Sequence, residues 1–214
     1  MYYRCTFCDC TQILMCRDLE DPKTLEDYRR LLPNRVRLVY SDPPWNPGNA
    51  TYWRTHAKMA PCFSYERFLD AFASVVALAA DMGAGDILIE QSANIAHSNY
   101  LLRAFERCGI SVPLRRRYEV LYSGHPNALF HFGLRVLHTD PSGMSGEAMT
   151  LRACAGVCAP SGSWVVEPCT GKGMTSRMAH CFGWNLVGSE LNQKRLDVTL
   201  AWLKRQGYAI EVVE

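Results

Sequence analysis

The chain has 214 residues, 48% of them hydrophobic, and a formal net charge of +2. Length and composition support a large α/β domain with a sizeable core and exclude a disordered chain, and no apolar run is long enough to span a membrane. The near-neutral balance neither demands nor excludes nucleic acid. The ten cysteines, with no export signal ahead of them, lead us to expect reduced thiols in a cytoplasmic protein.

In chain order, residues 12–16 (QILMC) read as a short buried strand and residues 23–32 as a charged helix. Residues 36–41 form a second strand that ends in the corner Asp42-Pro43-Pro44-Trp45. Residues 46–64 are rich in turn formers, and we expect a long loop of the kind that borders binding sites. Ser64 caps a helix over 65–82, which Gly83 stops. A strand at 86–91 and a helix at 99–108 follow. Two neighbouring strands, 118–124 and 128–137, are joined through His125-Pro126-Asn127. After a loop at 139–147 come a helix at 148–159, a strand running into a glycine-rich stretch, and a helix at 174–182. The chain closes with a strand at 185–191, a helix at 193–206 and a strand at 208–213. This alternation implies a mostly parallel sheet with helices on both faces, in a single domain over 1–214. Ligands of such sheets sit beyond the carboxyl ends of the strands.

Two motifs fall at such ends. In the first, Pro43 and Pro44 fix the backbone and leave carbonyls free to accept hydrogen bonds. Asp42 adds a carboxylate acceptor, and Trp45 adds a flat face on which a nucleobase can stack. Acceptors beside a stacking platform suit an exocyclic amino group on an aromatic ring. The alternative is a proline turn with a buried tryptophan. The second motif runs from Glu167 through Pro168, Thr170, Gly171 and Gly173, with Glu190 about twenty residues on at the end of the next strand. Glycines allow a backbone to approach a ligand closely, and an acid at that offset suits ribose hydroxyls. A dinucleotide fingerprint fails because Ser176 stands at its third glycine; a P-loop fails because Lys172 lies between the glycines. An adenosyl cofactor without a pyrophosphate needs only what is present.

With these motifs the chain resembles the S-adenosylmethionine-dependent amino-methyltransferases of nucleic acid. DPPW resembles their catalytic motif, EPCTGKGMT their cofactor loop "DPFAGSGTT", and VGSELN the following "GIEIN". The catalytic motif precedes the cofactor loop, as in the permuted β-class and in adenine methyltransferases of the MT-A70 type. The resemblance covers roughly residues 12–206 and implies a Rossmann-like methyltransferase fold with a seven-stranded sheet. It implies catalytic roles for Asp42, Pro43, Pro44 and Trp45. It implies cofactor contacts from Asp18, Glu167, Pro168, Thr170, Gly171, Gly173, Glu190 and Asn192. It also implies adenine N6 as the target, in DNA before RNA, in the cytoplasm of a bacterial or phage-infected cell or in a eukaryotic nucleus.

Asn46, Arg54, His56, Lys58, Arg115 and Arg116 are the candidates for touching nucleic acid. The family's long target-recognition insert is reduced here to about TDPSGMSGE. Specificity is therefore weak, or comes from the 46–64 segment, a homodimer partner or a second subunit. Cytosine-N4 methylation, RNA methylation, methylation of a protein glutamine or small aromatic amine, and a non-catalytic nucleic-acid-binding relative stand as alternatives. Cys5, Cys8, Cys10 and Cys16 include one CxxC, but structural zinc sites show two well-spaced pairs, and no metal is expected.

Overall fold

The computed structural model describes residues 1–59 and 64–214. A hairpin of β1 (Tyr2–Phe7) and β2 (Cys10–Cys16) leads into α1 (Pro22–Leu31) and β3 (Val36–Ser41). Next come α2 (Pro47–His56), α3 (Tyr65–Asp81), β4 (Asp86–Ser92) and α4 (Ile95–Arg107). A second hairpin, β5 (Leu114–Tyr122) and β6 (His125–Gly133), precedes α5 (Gly146–Val157) and β7 (Trp164–Glu167). The chain ends with α6 (Met174–Phe182), β8 (Asn185–Glu190), α7 (Gln193–Arg205) and β9 (Ala209–Val213).

Among the described residues nine strands form one sheet in the order β5-β6-β4-β3-β7-β8-β2-β1-β9. The expected α/β architecture is present, with a correction to its sheet. Only the central five strands, β4-β3-β7-β8-β2, pair in parallel, and an antiparallel pair flanks them on each side. The additional strand β1 exists because the short 8–9 turn lets the N-terminal segment fold back along β2. Helices α1, α3 and α4 cover one face and α5, α6 and α7 the other, each over its own apolar cluster. The two faces bury the central strands on both sides, so β3, β4 and β8 are buried almost from end to end.

Several boundaries differ from the sequence reading. Residues 47–56 of the expected 46–64 loop are helical: Asn46 caps α2, its Oδ1 accepting from Asn49 N at 2.9 Å, with Pro47 at the first turn. Residues 60–63 of that segment lie outside the described residues. The β5–β6 turn is Ser123-Gly124, both at positive φ (49° and 82°), rather than His-Pro-Asn. Two consecutive left-handed residues match the twist of a tight hairpin. Helix α4 begins four residues early because the Asn94 side chain caps it.

Connections from β3 leave toward β4, whereas those from β7 leave toward β8. The adjacent strands β3 and β7 therefore flank the point where the winding reverses. That reversal opens a crevice at their carboxyl ends, the usual ligand position in an open α/β sheet.

Candidate active site

Each of the five parallel strands delivers an acid at or near its carboxyl end. In sheet order these are Glu90 (β4), Asp42 (after β3), Glu167 (β7), Glu190 (β8) and Asp18 (after β2). The register keeps the ends level: Glu167 lies opposite Gly188, and Cys16 opposite Glu190. Such a row offers carboxyl oxygens to a ligand rich in N–H and O–H groups.

The proline corner holds its shape through two hydrogen bonds. Trp45 Nε1 donates to Asp42 Oδ1 at 2.8 Å, and Tyr65 Oη donates to the Pro44 carbonyl at 2.6 Å. The Pro44 carbonyl is thus taken, a correction to the expectation of two free carbonyls; Pro43 O and Asp42 Oδ2 accept nothing from the described residues. Asp42 is exposed toward the cavity, yet protein crowds it on its other sides. Desolvation pushes its carboxyl up to about 6, opposed by the Trp45 hydrogen bond and the Arg195 charge.

On the facing side, Gly171 (φ 57°) turns the loop so that its N–H donates to Glu190 Oε2 at 2.8 Å. Glu190 Oε1 accepts from Asn192 N at 2.9 Å. Burial raises the Glu190 carboxyl, and these N–H donors and Arg195 partly counter it. A Cβ at Gly171 would sit 2.7 Å from Arg195 Nη2, so glycine is what lets loop and guanidinium share this space. Gly173 (φ 82°) serves packing instead, since its missing side chain admits Thr199 of α7, which a Cβ would meet at 2.6 Å. Glu167 is fully buried, and desolvation, then the charges of Asp42 and Glu90, hold it well above ordinary carboxylate values.

Corner and loop line one cavity of about 670 Å³, with Asp42, Pro43, Pro44 and Trp45 facing Glu167, Thr170 and Gly171. A narrow pocket of about 80 Å³ shares Asp42, Pro44 and Arg195 with it and is bounded by Asp18, Trp53, Phe68, Pro168 and Glu190. Of the residues singled out in the sequence, these are the ones brought together.

Others take different positions. Asn192 caps α7 through Lys194 N at 3.0 Å and donates to the His56 carbonyl at 3.2 Å, tying α7 to the end of α2. Asn46 is the cap of α2. Arg54 turns inward, 2.9 Å from both Asp18 and Glu20, with 12% of its side chain exposed, so the expected phosphate contact gives way to a largely buried ion cluster. His56 lies on the Tyr52 ring at 3.9 Å, and Lys58 is exposed just beyond α2. Arg115 and Arg116 sit at the start of β5, six to seven residues from Tyr122 at the site end, or ~20 Å along a strand. Arg116 pairs there with Asp140 at 3.4 Å. Among the described residues no group of three or more His, Cys, Asp or Glu is placed to hold a metal ion, and no helix is long and apolar enough to cross a membrane.

Four contributors escaped the sequence reading. Arg195 lies 4.0 Å over the Trp53 ring, and both line the two cavities. Tyr122 meets Trp45 edge-on at 4.7 Å. Glu90 lines the large cavity. Helical spacing on α7 would have placed Arg195 one turn after Asn192; nothing local marks Tyr122.

No protein-family model and no curated protein sequence matches the chain. Solved structures do. The M1.HpyAVI–SAM complex superposes with a TM-score of 0.61 at 13% identity, covering 90% of this chain and 98% of the other. TTHA0409 of Thermus thermophilus, assigned as a DNA modification methylase, gives 0.62 at 16% identity, covering 90% and 94%. PvuII DNA methyltransferase, cytosine-N4-specific, gives 0.51 at 13%, covering 90% and 93%. At such identities, what this chain has in common with these proteins is the fold.

Proposed function

We propose that the protein transfers a methyl group from S-adenosylmethionine to an exocyclic amino group of a nucleobase, namely adenine N6 in DNA. The observation that carries this reading is the meeting of the Asp42 corner and the Gly171 loop around one cavity at the winding reversal. Two solved structures of this fold, M1.HpyAVI and TTHA0409, hold S-adenosyl-L-methionine, which supports the choice of cofactor.

The residues present fit that group. Glu190, fixed by Gly171 and Asn192, retains lone pairs for ribose hydroxyls. Asp18 borders the same narrow pocket, where its carboxylate, held by Arg54 and the Glu20 N–H, lies beside the space for an adenine ring, and an ionised Asp42 on the same pocket suits a sulfonium. When bound, the cofactor supplies an activated methyl. The chain's own residues then align the acceptor. Trp45 stacks on the target ring, and Asp42 Oδ2 and Pro43 O accept its N–H groups. Both acceptors stabilise positive charge on the nitrogen as the bond forms. The proton leaves to Asp42 or solvent afterwards. A duplex target must first be flipped out, at a few kcal/mol; exposed Tyr52 and Tyr122 on the cavity wall offer stacking faces for unpaired neighbours. Specificity beyond the base is then weak, or comes from the 46–64 segment, a second copy or another subunit.

Cytosine N4 is the second reading, favoured by the fold likeness to a cytosine-N4-specific enzyme; the aspartate leading the corner favours adenine. Incubation with methyl-labelled cofactor and separate DNA and RNA pools, followed by nucleoside analysis, tests both. N6-methyladenine from DNA is expected. N4-methylcytosine would move the base assignment, and a folded protein that fails to bind the cofactor in calorimetric titration would end the enzyme reading.

A further inference from the structure

Glu90 is a buried acid with no ion-pair partner among the described residues. It nonetheless opens onto the cavity that holds Asp42, Trp45 and Tyr122. Its carboxyl is pinned from behind: Tyr40 Oη donates to Oε1, and Thr150 Oγ1 stands 3.0 Å from the same hydroxyl. Oε2 has no hydrogen-bond partner among the described residues. Two neighbouring strands thus present two carboxyls, Asp42 and Glu90, to one space.

Resting on the methyl-transfer reading, we propose that Glu90 is a specificity-determining residue whose carboxyl O–H donates to the ring nitrogen beside the target amine, while Asp42 accepts from the amine itself.

The chemistry follows from the surroundings. An unpaired buried carboxylate takes up a proton sooner than stay charged. The titratable groups around Glu90 are Tyr40 and Asp42 from β3 and its turn, Glu167 from β7 and Cys154 from α5, none of them cationic. Desolvation first, then the Asp42 charge, raise Glu90 to about 8, opposed by the Tyr40 hydrogen bond. The cations of the cavity, Lys172, Arg177 and Arg195, make no ion pair with it. A protonated carboxyl gains a donor that a carboxylate lacks. Donor and acceptor side by side complement an N–H next to a ring-nitrogen lone pair, the pattern shared by adenine at N6/N1 and cytosine at N4/N3.

The test uses the full chain and matched oligonucleotides carrying adenine or 1-deazaadenine, in which C–H replaces that ring nitrogen. Cytosine and 3-deazacytosine replace them if cytosine is the base methylated. The kcat/KM ratio between the two templates is compared across variants, which cancels differences in amine reactivity. The wild type prefers the natural base by ~10-fold or more, since the analogue leaves a buried donor unpaired. Glu90→Leu brings the ratio close to that of the free amines. Glu90→Gln, which keeps an N–H donor, lowers the rate ~10-fold yet retains a preference. The wild-type ratio falls as pH rises through about 8, whereas that of Glu90→Gln stays level. Cofactor titration confirms that each variant is folded. Equal ratios in wild type and Glu90→Leu, or a pH-independent wild-type ratio, overturn the proposal while leaving methyl transfer intact. Absence of methyl transfer to any polynucleotide overturns the parent reading, and this one with it.

Discussion

Asp42 Oδ2 accepts strongly, and can take up the amine's proton, only when the carboxyl is ionised, and its environment opposes ionisation. Its carboxyl protonates as pH falls through about 6, so methyl transfer is expected to fade on that acid limb. Asp42→Ala is expected to lower kcat by ~100-fold or more, the usual effect of losing one preorganised polar group. Calorimetric titration should find cofactor affinity within a few-fold of wild type. A variant that loses both together would show that Asp42 holds the cofactor. This residue was legible because consecutive prolines after an apolar strand leave little structural freedom. Glu190 was legible for a similar reason: it lies nineteen residues beyond Gly171, at the next parallel strand end, and receives that glycine's N–H. Glu90 was not, because DILIEQ reads as a buried strand and nothing in it distinguishes a cavity acid from one facing away.

At the scale of elements, α2 departs furthest from the sequence reading. Its Pro47, Gly48 and Asn49 are turn formers, and its face is too weakly amphipathic to reveal a helix. The signal lay in the cap: an Asn followed by Pro opens a helix as readily as a loop. Once helical, α2 presents successive residues to opposite duties. Trp53 and Arg54 turn toward Arg195 and Asp18, while Lys58 just beyond its end reaches solvent. Substitutions should separate these roles. Lys58→Ala is expected to reduce the slope of log affinity against log salt for DNA by about 1, as for one lost phosphate contact. Arg54→Ala should leave that slope unchanged, lower the melting temperature and weaken cofactor binding, because it strips a guanidinium from Asp18 and Glu20 at the pocket wall. Filter binding at graded salt, beside thermal melts, distinguishes the two. A changed slope for Arg54→Ala would return that arginine to the nucleic-acid face.

At the scale of the whole molecule, the sheet gathers acids where the winding reverses, and this affects stability as well as chemistry. Glu90 and Glu167 are buried, and both hold folded-state pKa values above those of the unfolded chain. Between the unfolded value, about 4, and the raised folded one, the folded protein binds more protons than the unfolded chain. Stability therefore falls as pH rises across that window, by ~1.4 kcal/mol per pH unit for each extra proton bound. Asp27 and Asp140 are shifted downward, so their contribution is lost only at lower pH and does not offset the slope. The melting temperature should accordingly decline from pH 5 to pH 8. Asp42 and Glu190 are raised in the same direction, and Glu90→Gln removes one of these titrations, so its decline should be shallower and its melting temperature at pH 8 higher than wild type. For a chain of this size each ~1 kcal/mol moves the midpoint by ~2–4 °C. Scanning fluorimetry of both proteins across pH 5–9 reads the effect directly. A wild-type midpoint that rises from pH 5 to pH 8 would mean that the acids at the strand ends are charged and stabilised in the folded protein. The pairing of a proton-bearing Glu90 with an ionised Asp42 would then be lost.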